Sequence, residues 1–292
     1  CVHRYVCRSS QMIPLFKMVV PSYGKLAAKN KRAQLLTIPY SHYCELGAWA
    51  LKAAGDQFDE HPYPPGLHVP PTLVARLGGS VRALSTSSAV GTTPTTLPVA
   101  VLPDGTVLVD SWAILTHVAP ALGGVPDELR ELLDGQVGVL TRQLVYWYLL
   151  KATNHNVWSS LYLSEAGCSL SMLWTLSGRA ISARFRSMFR VANEADVIAA
   201  RDKLRAAVQT IEQTFLDSLD TPFLAGAKPG AADIALAAMM APVVNPPEYW
   251  GGRWNEQLTL LVQQDAAYGQ EVESWRSRTA GQHCLKVYRT CR

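Results

Sequence analysis

The first part of the chain alternates short apolar runs with longer mixed segments. Residues 35–38 (LLTI) have the length and composition of a buried strand, and Pro39 ends it. Residues 43–54 have the composition of a helix, which Gly55 ends. Ser41 therefore lies at a turn from a strand to a helix.

This turn at Ser41 is suited to an anion. The Ser41 hydroxyl and the first amides of the helix face one small volume, where unpaired N–H groups and the helix dipole favour negative charge. A thiolate is such an anion, and this geometry lowers the pKa of a thiol. The alternative is that Ser41 only caps the helix, so other segments have to decide between the two.

The same pattern predicts the other elements of the first domain. They are a strand at 58–61, a helix within 70–82, a flexible connection at 85–96, a strand at 97–102, a turn at 104–105, a strand at 106–109 and a helix at 110–115. Strand, helix, strand, helix, hairpin and helix is the order of a thioredoxin-like domain, which we place at 33–119.

Every segment after a Pro- and Gly-containing linker at 120–126 has a helical pattern. Acidic residues open the segment 127–150, and Asn193 begins a helix with one apolar stripe. The stripe consists of Val197, Leu204, Val208, Ile211, Phe215 and Leu219. We therefore expect an all-helical domain at 126–289.

Composition and charge narrow the function classes. Lys and Arg exceed Asp and Glu by only 27 to 23, and the net charge of +4 gives no broad nucleic-acid signal. No apolar run approaches the roughly 18 residues that span a bilayer, so we expect a protein that is not integral to a membrane. The 6 Cys and 7 His residues show no ligand spacing, so no metal is expected.

The positive charge is concentrated at the amino terminus. Residues 1–32 contain seven Lys or Arg residues, and the first carboxylate of the chain is Glu45. This composition is typical of a transit segment for a chloroplast or mitochondrion, or of a basic docking arm. The alternative is a disordered tail on a cytoplasmic protein. Because the segment has no periodic apolar face, we expect it to lie outside the fold.

Four segments together resemble the glutathione transferase superfamily. They are residues 39–45 (PYSHYCE), 97–101 (LPVAV) with the pair at 110–111 (DS), 223–226 (FLAG) leading to 231–234 (AADI), and 279–283 (TAGQH). In this order and spacing the match extends over nearly the whole chain after the basic segment. The resemblance implies an α+β thioredoxin-like domain followed by an all-α helical domain.

The resemblance also implies roles for individual residues. Ser41 falls where serine-type members place the hydroxyl that hydrogen-bonds the glutathione sulfur. Pro98 matches a cis-proline that leaves the backbone of Leu97 free to pair with the cysteinyl part of glutathione. Asp110 and Ser111 resemble the acid-serine pair that holds the γ-glutamyl end.

Two further residues have other roles by the same resemblance. Cys44 stands at the second cysteine position of a glutaredoxin-type CxxC motif, which makes a redox role a further alternative. Ser41 replaces the first cysteine, so dithiol chemistry is not available. Asp233 matches the acid of a capping box, and with Gly230 at the cap position only its bond to the Gly230 amide remains. We expect Asp233 to be structural.

The function expected from this resemblance is that of a serine-type glutathione transferase. Such a detoxification enzyme conjugates the thiolate of its co-substrate glutathione to a hydrophobic electrophile, and the family implies a homodimer. Aromatic candidates for the electrophile site are Tyr146, Trp147, Tyr148, Trp158 and Trp174, although packing is the commoner role of such side chains. The alternative function is a non-catalytic, transferase-like subunit of a larger organellar assembly.

Overall fold

A computed structural model describes residues 22–77, 80–81, 94–163 and 168–292. Residues 1–21, which form most of the basic segment, lie outside the described residues, as does most of the predicted connection at 85–96. The described chain forms an α/β domain followed by a helical domain.

The first domain is built on a five-stranded mixed sheet. Its elements are α1 (Tyr23–Asn30), β1 (Ala33–Thr37), α2 (His42–Ala54), β2 (Phe58–Pro62), α3 (Val69–Leu77), β3 (Ser80–Val81), β4 (Val99–Val101), β5 (Thr106–Val109) and α4 (Ser111–Leu122). The strand order is β2-β1-β4-β5-β3, with β1 parallel to β2, β4 antiparallel to β1 and β5, and β3 parallel to β5. The predicted thioredoxin-like fold is confirmed.

Helix α1 corrects the expectation that residues 1–32 lie outside the fold. The Tyr23 side chain is 1% exposed, and Ala27 is fully buried. The Tyr23 hydroxyl is hydrogen-bonded to that of Tyr63, and the Tyr23 ring packs edge-on against His61 at 5.3 Å. Sequence reasoning missed this helix because two buried side chains are too few to give a periodic apolar stripe.

Helix α4 also continues beyond its predicted end. It runs through Pro120 to Leu122, where the sequence predicts the start of the linker. Its buried residues Ile114 and Val118 pack into the core, and this tertiary packing outweighs the local helix-breaking signal of the proline. Gly123, with a φ of 76°, then ends the helix.

The regular elements of the second domain are all helices within its described residues, apart from one isolated bridge between Phe223 and Gly226. Its helices are α5 (Asp127–Leu132), α6 (Gly138–Leu149), α7 (His155–Leu163), α8 (Cys168–Met188), α9 (Glu194–Ile211), α10 (Ala231–Val244), α11 (Asn255–Gln264), α12 (Ala266–Arg276) and α13 (Thr279–Cys291). Short turns of π-helix (Leu133–Val137, Glu212–Leu216) and 3-10 helix (Ala152–Asn154, Tyr249–Gly252) complete it. None of the described helices is both long and apolar enough to cross a bilayer.

The helix predicted at 127–150 forms, and it contains the π-helical turn Leu133–Val137 between α5 and α6. Gly138, directly after this turn, lies against α2 and α10. A Cβ atom at Gly138 would be 2.5 Å from the Tyr43 hydroxyl oxygen and 2.7 Å from the Met239 sulfur. The glycine therefore permits a close approach of the two domains at this point.

Helix α10 forms the centre of the contact between the domains. All of its residues are buried, as expected for a helix that is apolar on every side. It packs against α2, α6 and α13. Nearby, the buried Glu45 of α2 accepts two hydrogen bonds from the Arg292 guanidinium, at 2.8 and 2.9 Å, and one from the Trp250 amide at 3.0 Å. These contacts fix α2, and with it the turn at Ser41.

Candidate functional site

A cavity of about 950 Å³ lies between the two domains. The first domain contributes the start of α2, the segment before β4 and the start of α4, which carry Ser41, Leu97, Asp110 and Ser111. The helical domain contributes side chains of α6, α7 and α8. The structure thus brings together in one cavity the four glutathione-binding and catalytic positions implied by the sequence, with Pro98 directly behind Leu97.

Ser41 occupies the N-cap position of α2, with extended backbone angles, and its side chain makes no capping hydrogen bond. The backbone reverses direction at Tyr40, whose φ is 56°. The hydroxyl of Ser41 lies at the cavity wall beside the first amides of α2, where the positive end of the helix dipole is located. A hydrogen-bond donor and a favourable electrostatic field for an anion therefore coincide at this wall.

Cys44 does not fit the redox alternative. Its side chain is fully buried, and its sulfur accepts a hydrogen bond from the Ile38 amide at 3.3 Å. Burial raises the pKa of the thiol to about 12, although the Ile38 amide and the Ser41 hydroxyl lower it in part. A reactive cysteine needs an accessible thiol with a depressed pKa, so both observations count against the role.

The peptide bond between Leu97 and Pro98 is cis. Pro98 accepts a hydrogen bond at its carbonyl oxygen from the Asp110 amide at 2.9 Å, which ties this segment to the start of α4. Leu97 precedes β4 and lines the cavity. The Leu97 backbone is therefore held at the same wall as Asp110.

Asp110 and Ser111 leave polar atoms without partners at the start of α4. Asp110 is 6% exposed; its Oδ1 caps the helix by accepting from the Ala113 amide at 2.8 Å, and its φ is 80°. The second carboxylate oxygen and the Ser111 hydroxyl are buried without a hydrogen-bond partner. Burial raises the pKa of Asp110, against the effect of amide hydrogen bonds from Ala113 and Trp112. Buried polar atoms without partners are rare and costly, and such a pair in a cavity wall fits a polar ligand.

His42, the first residue of α2, is a positioning residue that sequence reasoning missed. Its Nε2 lies 2.9 Å from the carbonyl oxygen of Gly138, and the ring is buried. Burial, with the nearby charge of Arg142, lowers the pKa of His42 to about 3. The ring is therefore neutral at physiological pH and donates its N–H to Gly138, which links α2 to α6.

The helical wall of the cavity carries an aromatic cluster and two arginines. Tyr146, one of the predicted aromatic residues, stacks on Phe189 with ring centroids 4.1 Å apart. The arginines are Arg142 and Arg184. Of the other aromatic candidates, Trp147, Tyr148 and Trp158 do not line this cavity, and the side chain of Trp174 lies outside the described residues.

Asp233 lies outside this cavity, at the start of α10. Its carboxylate accepts hydrogen bonds from the amides of Leu224, Ala225 and Gly230 at 2.7, 3.1 and 2.9 Å. His283 Nε2 lies 2.9 Å from its Oδ1. Burial would raise the pKa of Asp233, but the hydrogen bonds from His283 and these amides outweigh it and lower the pKa. Such a fully bonded carboxylate has the geometry of a structural cap.

Comparison with protein-family models finds no match for this sequence, and comparison with curated proteins finds none. Among solved structures, a glutathione S-transferase of Ceriporiopsis subvermispora in complex with glutathione is 16% identical, with a TM-score of 0.45 over 80% of this chain and 98% of the other. A glutathione S-transferase of Xanthobacter autotrophicus is 21% identical, with a TM-score of 0.36 over 85% and 94%. The Tau class enzyme of mango, Mangifera indica, is 16% identical, with a TM-score of 0.40 over 89% and 96%.

Among the described residues, no group of three or more His, Cys, Asp or Glu side chains is arranged to hold a metal ion. Hydroxyl, carboxylate, guanidinium and backbone amide groups line the cavity.

Proposed function

We propose that this protein binds glutathione in the cavity between its domains and conjugates the glutathione thiolate to an electrophile. The observation that carries the proposal is the pair of buried, unpartnered polar groups of Asp110 and Ser111 in the same cavity as the Ser41 hydroxyl. A ligand with an ammonium group, a carboxylate and, further along, a thiol would supply partners to these groups.

The start of α4 fits the γ-glutamyl end of glutathione. The Ser111 hydroxyl and the positive end of the α4 dipole favour a carboxylate, as helix N-termini do for anions in general. The free Asp110 oxygen would accept a hydrogen bond from the α-ammonium group. An ammonium in this place would supply the partner that the buried carboxylate lacks, and it would offset the cost of its burial.

The start of α2 fits the thiol. Ser41 would donate a hydrogen bond to the sulfur, and the helix dipole would favour the thiolate over the thiol. The thiolate sulfur then forms a bond to the electrophilic carbon. In a substitution the leaving group departs with its bonding electron pair, and in an addition a proton from water is taken up by the neighbouring carbon. The rate gain would come from thiolate stabilisation and proximity.

Replacement of Ser41 by Ala tests the thiolate role. We expect conjugation of a neutral model electrophile to fall about ten- to hundredfold, since a hydrogen bond to a charged group is worth about 1.5–3 kcal/mol. Glutathione affinity should change little. The thiolate absorbance of bound glutathione, followed against pH, should show a raised thiol pKa in the Ser41→Ala variant.

Cys44→Ser is the matched control, because Cys44 is one turn into the same helix and fully buried. Its conjugation rate should stay close to that of the unchanged protein. If calorimetry finds no binding of glutathione at millimolar concentration, the proposal is wrong and the non-catalytic subunit becomes the better interpretation. Retained conjugation in Ser41→Ala, together with loss of a thiol-exchange activity in Cys44→Ser, would instead support redox chemistry.

A further inference from the structure

Arg142 is a cation without an ion pair in the wall of the cavity. Its side chain is half-buried and lines the space between the domains. Within the described part of the chain, no carboxylate lies within ion-pair distance of its guanidinium, and no hydrogen bond engages it. A half-buried charge without a partner is costly, and it is compensated when an anion binds.

Aromatic rings hold the Arg142 guanidinium in place. Its central carbon lies 5.1 Å from the ring centroid of Phe189 and 5.7 Å from that of Tyr43. Both distances are in the range of cation–π contact. This contact orients the planar group but uses none of its N–H donors at the ring face, so the donors stay available to a ligand.

The surface beside Arg142 is flat and aromatic. Phe189 stacks on Tyr146 at 4.1 Å with an angle of 25° between the rings, and Phe185 stacks on Tyr146 at 5.9 Å and 28°. Arg184, on the same helix as Phe185, also lines the cavity. An apolar, flat surface next to two positive groups favours a flat ligand with a negative substituent.

The acidic groups of the cavity do not cancel this positive field. Asp134 lines the cavity too, and its charge raises the pKa of both Asp110 and Tyr43. Arg142 acts in the opposite direction on Tyr43, and it also lowers the pKa of His42. At Tyr43 the effect of Arg142 is larger than that of Asp134, so a positive field remains at this wall of the cavity.

We propose that the electrophile is a flat aromatic molecule that carries a carboxylate or sulfonate, and that Arg142 binds this anionic group. The proposal rests on the proposed function, because it names the second substrate of the same cavity. The ring of the electrophile would lie against Tyr146 and Phe189, with its anionic substituent at the guanidinium. Two other roles for Arg142, binding a glutathione carboxylate and stabilising the thiolate, predict different results in the test.

The test uses a chlorodinitrobenzoate and its methyl ester as a matched pair of electrophiles. In both, the glutathione sulfur forms a bond to the ring carbon, and chloride leaves with the electron pair of the broken carbon–chlorine bond. The two electrophiles differ in charge, because the carboxylate is negative and its methyl ester is neutral. For Arg142→Met we expect kcat/KM for the carboxylate to fall about ten- to hundredfold, with less than about a threefold change for the ester. For Arg142→Lys, kcat/KM for the carboxylate should lie between the values of the unchanged protein and of Arg142→Met. Lysine keeps the positive charge but lacks the planar guanidinium with its paired donors.

Arg179→Met is the control for the loss of a positive charge. Arg179 is on the same helix as Arg184, is exposed, and does not line the cavity. Arg179→Met should leave kcat/KM unchanged for both electrophiles. An equal fall for acid and ester in Arg142→Met, with glutathione affinity retained, would overturn the proposal in favour of a thiolate-stabilising role. A fall in glutathione affinity would overturn it in favour of a glutathione carboxylate site.

A binding measurement separates failure of this proposal from failure of the proposed function. Dinitrobenzoate, which has no leaving group, and its methyl ester are titrated into the unchanged protein by calorimetry. The acid should bind at least about tenfold more tightly than the ester, and Arg142→Met should remove that preference. Equal affinities for the two ligands overturn the inference, whether or not the protein turns over glutathione and even if the variant does not fold.

Discussion

Asp110 and Asp233 both lie near the start of a helix, and their surroundings are opposite. Asp233, at the start of α10, has both carboxylate oxygens in hydrogen bonds, from three backbone amides and from His283. Asp110, at the start of α4, has one oxygen bound to the Ala113 amide and the other buried without a partner. The pKa of Asp233 is lowered, whereas that of Asp110 is raised by burial.

This difference separates a residue that stabilises the fold from one that fits a ligand. The hydrogen bonds of Asp233 are complete in the protein alone, so its carboxylate has no capacity left for a ligand. Asp110 bears the cost of burial without full compensation, and the residue lines a cavity. Helix-capping chemistry is common to both, so the cap by itself does not distinguish them.

Removal of the Asp233 carboxylate should have the largest effect. In Asp233→Ala, three amides and the His283 ring lose their acceptor in a fully buried place. We expect the free energy of unfolding to fall by about 3–5 kcal/mol, the range for breaking a buried charged network. Denaturant titration would measure this loss.

A control for Asp233→Ala is available on the surface. Asp217 is exposed, and Asp217→Ala removes the same charge with an expected change within about 0.5 kcal/mol. The folded fraction of Asp233→Ala should still bind glutathione with unchanged affinity. A stable variant with weakened ligand binding would contradict the structural assignment of Asp233.

Removal of the Asp110 carboxylate should mainly weaken glutathione binding, by less free energy than the stability lost in Asp233→Ala. Asp110→Ala deletes the group that would bind the glutathione ammonium, and we expect affinity to fall by about 1.5–3 kcal/mol, or ten- to hundredfold. The loss of the cap to Ala113 should cost about 1 kcal/mol of stability. Calorimetry and thermal unfolding of the same preparation measure the two effects, and a stability loss alone would show that Asp110 is only a cap.

The pH dependence of stability should have opposite signs at the two positions, and this is the smallest expected effect. Asp233 has a folded pKa below its unfolded value of about 3.9, so its contribution is present above that pH and lost as pH falls through the folded pKa. Asp110 has a folded pKa above the unfolded value, so stability is lost as pH rises from about 3.9 through the folded pKa.

The measurement compares each aspartate with its uncharged amide. The free energy of unfolding is measured at several acidic pH values for the unchanged protein, Asp233→Asn and Asp110→Asn. The value for each variant is then subtracted from that of the unchanged protein at the same pH. The difference should increase with pH for Asp233 and decrease with pH for Asp110. Bound glutathione should reverse the slope for Asp110, because an ammonium partner favours the charged carboxylate.

Sequence reasoning succeeded where a signal is local. The apolar run before Pro39, the helix end at Gly55 and the Asn193 cap each depend on residues close in the chain, and the structure contains the strand and both helices. Sequence reasoning failed where tertiary packing decides whether a helix forms and how far it extends. Helix α1 has only two buried anchors, and α4 continues through Pro120 because its buried face is held in the core.

Apart from α1 and the short strand β3, the order of strands and helices in the first domain was determined by the sequence itself, as were the helical character of the second and the turn at Ser41. Each follows from periodicity, turn chemistry and capping within a few residues. Only the tertiary structure decided which of the candidate groups share a cavity. Asp110 and Asp233 both lie near helix starts, and Cys44 lies three residues from Ser41, yet burial and the partners supplied by distant segments give them different electrostatics. Those partners, such as His283 for Asp233 and the aromatic rings that hold Arg142, become neighbours only when the chain has folded.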